Sequence, residues 1–238
     1  MKNFFLMISF FTRLPVPFVE YTEERYRRGL KWVPAIGLLL GGLLYGVSFL
    51  HLILDSDLVA LVLIACYVAA SGALHLDGLA DSFDGLLSGR DKDRILEIMR
   101  DSHIGSFGVI ALIFYFLTFF VLLGQVPYEA LLLMPLVGKS APIVSAYFSP
   151  YARPEGMGKV FTEHCGKAEL SIALLLPIAV AAALDPWYLA AVAVALAVVL
   201  LLTQWSKRVI GGITGDTMGM VCELSQLTFL FAVTFLGI

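Results

Sequence analysis

The run Leu76-Asp77-Gly78-Leu79-Ala80-Asp81-Ser82-Phe83-Asp84-Gly85 places three carboxylates at i, i+4 and i+7. On a helix these positions share one face. Like charges one turn apart repel, so the stripe needs a compensating cation. Mg²⁺ or Mn²⁺ fits, because hard divalent ions prefer carboxylate oxygens and are typically held together with substrate phosphates. The glycines beside Asp77 and Asp84 allow a bulky group close to the backbone. The plain alternative is a solvated helix end with incidental acids. Three acids on one stripe at the end of an apolar segment favour function, since ionisable groups in such segments tend to be functional.

Further candidates extend this set. Asp93, Glu97 and Asp101 repeat at i, i+4 and i+8, but Arg90, Arg94 and Arg100 interleave with them, which equally describes a salt-bridged surface helix. Asp101-Ser102-His103-Ile104-Gly105 leads into an apolar stretch, and Asp101 is the strongest of the three because it lies at the same membrane level as the first cluster. Gly211-Gly212-Ile213-Thr214-Gly215-Asp216-Thr217-Met218-Gly219 is a Gly/Thr-rich loop entering a helix, able to offer N–H groups and hydroxyls to phosphate, with Thr214, Gly215 and Asp216 as the contacts. Its plain reading is an ordinary loop and helix cap. Glu223 lies two turns beyond Asp216. Lys139, between Pro135 and Pro142, stands in the middle of an apolar segment. There it costs at least about 2.5 kcal/mol and needs a partner, either a phosphate or metal site or a buried carboxylate or carbonyl. Arg13 and Arg90 are further phosphate candidates, Arg13 doubling as an interfacial anchor. His75 and His103 are acid–base or substrate contacts in the functional reading. Scattered histidines give no zinc pattern.

Carboxylates, divalent metal and a Gly/Thr loop suit phosphoryl or nucleotidyl-type transfer, in which metal offsets charge on bridging phosphates. A carboxylate not committed to metal can accept the proton of an attacking hydroxyl. The sequence has neither a GxSxG elbow nor a GxxxxGK[ST] loop, so a serine hydrolase and P-loop-driven transport are unsupported.

The surrounding elements belong to a membrane. Of 238 residues, 59% are hydrophobic and 15% charged, and mean hydropathy is +0.88. A soluble core cannot absorb that excess, so lipid is the expected solvent. A span needs about 20 mostly apolar residues. The segments Trp32–Leu54, Leu58–Leu76, Ile104–Leu123, Tyr128–Phe148, Leu170–Leu184, Trp187–Trp205 and Met218–Leu236 qualify. The expected fold is an all-α polytopic bundle of about seven spans, with six to eight as the range, forming a single domain over residues 1–238. The first and fourth spans contain Pro and Gly and the fifth is short, so one or two are candidates for a break or re-entrance. Phe4–Phe11 reads as an interfacial helix. Fifteen of the 16 Lys and Arg residues fall on alternate loops, Lys139 being the exception. Basic residues collect on cytoplasmic loops, so the N-terminus and the aspartates are expected in the cytoplasm. Net charge of −3 gives no sign of nucleic-acid binding. Cys66, Cys165 and Cys222 are far apart, with no metal spacing. The N-terminus shows no signal-peptide pattern.

Taken together, Phe11-Thr12-Arg13-Leu14-Pro15-Val16-Pro17, His75 through Gly85, Met99-Arg100-Asp101-Ser102-His103-Ile104-Gly105 and Gly211-Gly212-Ile213-Thr214-Gly215-Asp216 resemble the cobalamin synthase family over nearly the whole chain. The resemblance implies a prokaryotic inner-membrane, Mg²⁺-dependent enzyme that joins adenosylcobinamide-GDP to α-ribazole, or its 5′-phosphate, and releases GMP. It leaves open whether a second copy of the chain or other enzymes of the pathway are partners. In that reading Asp77, Asp81 and Asp84 hold Mg²⁺ on the pyrophosphate, Asp101 or Asp216 adds ligation or takes the proton, and Lys139, Arg13 or Arg90 offsets phosphate charge. A more distant likeness is to CDP-alcohol phosphotransferases: Asp81-Ser82-Phe83-Asp84-Gly85 matches the DxxDG part of their motif, while the AR element and the downstream GxxxDxxxD are missing. The alternatives are such a phosphotransferase on another substrate, a metal-ion or small-solute transporter, or a non-catalytic scaffold. A transporter places its carboxylates at the midplane, whereas these stand at one edge.

Overall fold

The computed structural model describes residues 1–237. Twelve α-helices and no strand form among them: α1 Lys2–Phe11, α2 Glu23–Gly29, α3 Val33–Ser48, α4 Ser56–Ser71, α5 Leu74–Leu86, α6 Lys92–Ile98, α7 Ser106–Leu123, α8 Ala130–Phe148, α9 Met157–His164, α10 Lys167–Leu184, α11 Tyr188–Ile210 and α12 Gly215–Leu236. Six helical stretches are long and apolar enough to cross a bilayer, and a seventh crossing results if α4 and α5 count as one broken span. This is the expected all-α membrane bundle.

Two expectations about continuity change. The first and fourth spans, suspected of breaking, do not break: helix runs from Glu23 to Leu52 through a 3₁₀ turn, and α8 carries Pro135 and Pro142 inside an uninterrupted helix. The break falls in the second span instead. Helix α4 stops at Ser71, and α5 leaves at 92° to it. Gly72 (φ 66°) and Ala73 (φ 57°) are both left-handed, which turns the chain within two residues. Glycine adopts this region freely, whereas alanine pays about 1–2 kcal/mol. The segment after α1 braces the corner. The Arg13 N–H donates to the Ala70 carbonyl at 2.7 Å, and the Arg13 side chain lies over Gly72. The aspartates therefore stand on a separate helix rather than on an extension of the second span.

Helix α8 is the central post. It is buried along almost its whole length and packs against α3, α10, α11 and α12. The short helices gather at one end: α1 on α2, α2 and α8 on α9, and α5 and α11 on α6.

One crossing sets the position of the chemistry-bearing residues. Helices α5 and α12 meet through glycines. A Cβ at Gly78 would fall 2.8 Å from the Asp216 carbonyl oxygen, and one at Gly219 would fall 2.8 Å from the His75 carbonyl oxygen. Small residues at such crossings let backbones touch, which drives helix association in lipid where apolar burial supplies little net force. Gly219→Ala is therefore expected to force the helices apart and to destabilise the protein by roughly 1–3 kcal/mol. A lowered thermal-melting midpoint in detergent measures it.

Candidate active site

Three polypeptide segments converge on α5. Helix α12 brings Asp216 in its first turn, over Gly78. Thr214 caps that helix: its hydroxyl accepts the Thr217 N–H at 3.2 Å and also donates to Asp216 Oδ2 at 3.2 Å. The loop after α8 then pairs with the loop before α12. Ala152 N–H donates to the Ile213 carbonyl at 2.8 Å, and Ile213 N–H donates to the Pro150 carbonyl at 2.9 Å. That short ladder delivers Arg153, whose Nη2 donates to Asp216 Oδ2 at 2.8 Å. The Arg153 side chain is 10% exposed, and its buried Nε–H has no partner among the described residues.

Asp81 is half-buried, and its charged neighbours are Asp77, Asp216, Asp84 and Arg153. Asp77 is exposed and also neighbours Asp216. Asp81 thus has three carboxylates and one guanidinium as its charged neighbours. Such an excess of anionic oxygen, close-packed and partly desolvated, is a donor set suited to a hard divalent cation.

The stripe is not uniform, however. Asp84 is 9% exposed and points at the start of α7. Its carboxylate accepts the Gly105 N–H at 2.7 Å and the Gly108 N–H at 2.9 Å. Both oxygens are thus engaged with the orphan donors and positive dipole end of that helix. Asp101 is exposed and bonded to His103, from its backbone N–H at 3.0 Å and its ring at 2.6 Å. These bonds hold its carboxyl below the usual carboxylate range. Asp91 caps α6, and Arg94 pairs with Glu97 at 2.7 Å, so that segment is the salt-bridged surface helix.

The remaining candidates separate. Lys139 is buried, and its Nζ donates to His75 Nδ1 at 2.8 Å, with Cys222 Sγ at 4.0 Å. The His75 ring stacks on Phe11, centroids 6.0 Å apart. The Glu223 carboxylate is buried too, accepting Tyr67 Oη–H at 2.7 Å, Tyr115 Oη–H and Gln226 Nε2–H at 3.2 Å. Lys139 and Glu223 sit near one another and offset charge across this network. Lys139 thus takes the structural partner that a buried ammonium needs rather than an exposed phosphate site. Arg13 is exposed at the α4–α5 corner, and Arg90 is exposed in the loop after α5. Sequence reasoning passed over Arg153, which was one loop cation among several. Its only signal was a place in the same set of loops as the aspartates.

Two cavities adjoin the ion pair. One, about 290 Å³, is lined by Asp77, His75, Gly78, Gly215 and Asp216 together with a set of aromatic residues. The other, about 600 Å³, is lined by Arg153, Lys159, Tyr151 and Thr162 among others. The first contains Asp216 and the second its partner Arg153, so the ion pair joins them.

A family model described as Cobalamin-5-phosphate synthase matches residues 3–234. The chain is 37% identical over 239 residues to an adenosylcobinamide-GDP ribazoletransferase of Alkaliphilus oremlandii, covering 98% of this chain and 96% of that one. Proteins of the same description from Clostridium acetobutylicum (38% identical, 98% and 95% covered) and Acetivibrio thermocellus (39%, 97% and 96%) are similar to it as well. No solved structure matches.

The geometry separates two kinds of aspartate. Asp84→Asn replaces one acceptor oxygen with an amide that faces a backbone N–H, and is expected to cost about 1–3 kcal/mol of stability. Asp81→Asn removes one of several crowded like charges and is expected to leave the melting midpoint unchanged or raised. Parallel thermal melts in detergent without added metal test both.

Proposed function

The chain belongs to the cobalamin-5-phosphate synthase family, with the adenosylcobinamide-GDP ribazoletransferase activity of cobalamin biosynthesis, and on that premise we propose which residues carry the reaction. Asp77 and Asp81 would hold Mg²⁺. The donor set fits the ion: all-oxygen, more anionic than the single neighbouring guanidinium offsets, and facing a cavity. When bound, the ion neutralises charge on the pyrophosphate of the GDP group.

The protein's own groups supply the rest. The ribose hydroxyl of α-ribazole, or of its 5′-phosphate, attacks the phosphorus that bears cobinamide. The bond from that phosphorus to the bridging oxygen breaks, and the oxygen leaves with GMP. Asp216, fixed by Arg153 and Thr214 at the cavity wall, accepts the hydroxyl proton. Arg153 lines the wider cavity and donates to the non-bridging oxygens as charge shifts to the leaving phosphate. Asp84 keeps α7 docked on α5, so it acts on the site through position. Asp101, already bonded to His103, takes no part in this assignment. The carrying observation is that Asp77 and Asp81 neighbour Asp216, itself held by Arg153, where the two cavities adjoin. The loops that form this end hold nearly all the basic residues, which supports a cytoplasmic orientation.

Asp81→Asn is expected to lower Mg²⁺-dependent GMP release by about two orders of magnitude or more while the protein still inserts and melts normally. Near-normal turnover would remove Asp81 from the metal site. Arg153→Met is expected to reduce kcat more than tenfold, about 1.4 kcal/mol of barrier. An unchanged kcat in purified protein would count against the guanidinium's role.

A further inference from the structure

The narrower cavity contains more aromatic surface than a metal–phosphate site requires. Phe10, Phe11, Tyr26 and Phe161 line it, with Pro142 and Met218. The rings meet edge to face: Phe10 with Phe11 at 4.9 Å, Phe10 with Tyr26 at 5.3 Å and Phe11 with Phe161 at 6.5 Å between centroids. Tyr26 is 2% exposed and belongs to the cavity wall, and its hydroxyl has no hydrogen-bond partner among the described residues. Asp77 and Asp216 are the acidic residues on the wall.

Four flat groups occur in the two substrates, the corrin macrocycle, the adenine of the adenosyl group, guanine and the base of ribazole, and the wall discriminates among them. The corrin macrocycle is far too large for about 290 Å³. Guanine and adenine each carry several donors and acceptors on their edges, and burying them without partners is costly. The lining offers no amide or guanidinium side chain to meet their acceptors, its two carboxylates are taken by the metal and by Arg153 in the reading above, and His75 Nδ1 is already committed to Lys139. The base of ribazole is a methylated benzimidazole: a fused, apolar bicycle with one free ring nitrogen, an acceptor. It matches a ring-lined slot holding a single free hydroxyl donor.

We propose that this cavity is the acceptor subsite: the benzimidazole base of α-ribazole lies among Phe10, Phe11 and Phe161, its free ring nitrogen accepts the Tyr26 hydroxyl, and its ribose faces Asp77 and Asp216. The proposal rests on the functional reading above. It adds that acceptor recognition resides in α1, α2 and α9, apart from the carboxylates that handle the donor.

The test uses the full chain purified in detergent. Tyr26→Phe removes only the hydroxyl and keeps the ring packing. It is expected to weaken α-ribazole, read as equilibrium binding without Mg²⁺ or donor and as acceptor KM at saturating donor, about three- to tenfold, the loss of one hydrogen bond. Phe161→Ala is expected to weaken it about tenfold or more, with Phe161→Leu recovering most of the loss. The KM of adenosylcobinamide-GDP stays unchanged in all three. If α-ribazole binds only after the donor, acceptor KM alone decides. Unaltered acceptor binding and KM in both Tyr26→Phe and Phe161→Ala overturns the subsite, as does a rise in donor KM instead. Asp81→Asn separates the two readings: it should lose turnover yet keep Mg²⁺-free α-ribazole binding. An active Asp81→Asn defeats the metal assignment while the Tyr26 and Phe161 comparison still stands or falls by itself.

Discussion

Where α5 crosses α12, main chain touches main chain, because neither Gly78 nor Gly219 has a side chain to hold the helices apart. In lipid this closeness is a source of stability, since apolar faces gain little from leaving hydrocarbon for one another. Here it also fixes chemistry. Asp216 rides on α12 directly over the helix that bears Asp77 and Asp81, and like charges are brought together that would separate if either glycine were larger. The cost of that crowding is met by Arg153 and, in the proposed holoenzyme, by the divalent ion.

A second constraint lies deeper. Lys139, His75 and Glu223 are buried in the bundle, where ionisable groups persist only with partners. Their hydrogen bonds run through Tyr67 of α4, Tyr115 of α7, Gln226 of α12 and His75 of α5. These bonds tie α4, α5, α7, α8 and α12 together beneath the site. His75 belongs to both layers: one ring nitrogen is held by Lys139, while its face stacks on Phe11 at the cavity wall. The α4–α5 corner serves the same end. Left-handed residues Gly72 and Ala73 turn α5 by 92°, so the aspartates face the junction of helices rather than continuing along the span.

Division of labour among the aspartates follows from burial. Asp77 and Asp81 keep accessible oxygens, Asp216 is oriented by an arginine and a threonine, and Asp84 is spent on the N-terminus of α7. Equal spacing along a helix does not give equal roles, because a stripe that starts in solvent at Asp77 rotates into protein by Asp84.

The amino-acid sequence alone determined the solvent. Its apolar segments are long enough to span a bilayer, and its chemistry-bearing motifs carry the family resemblance, because composition and near-neighbour spacing are properties of the chain itself. It also marked Asp77, Asp81 and Asp216 as candidates and showed that Lys139 needs a partner. Tertiary structure decided which partners these groups have. Arg153 reaches Asp216 across 63 positions and Tyr67 reaches Glu223 across 156. Phe10, Tyr26 and Phe161 form one wall from three helices. No periodicity encodes such meetings. They follow from which helices can approach closely, and that depends on where small residues, caps and buried charges are satisfied at the same time.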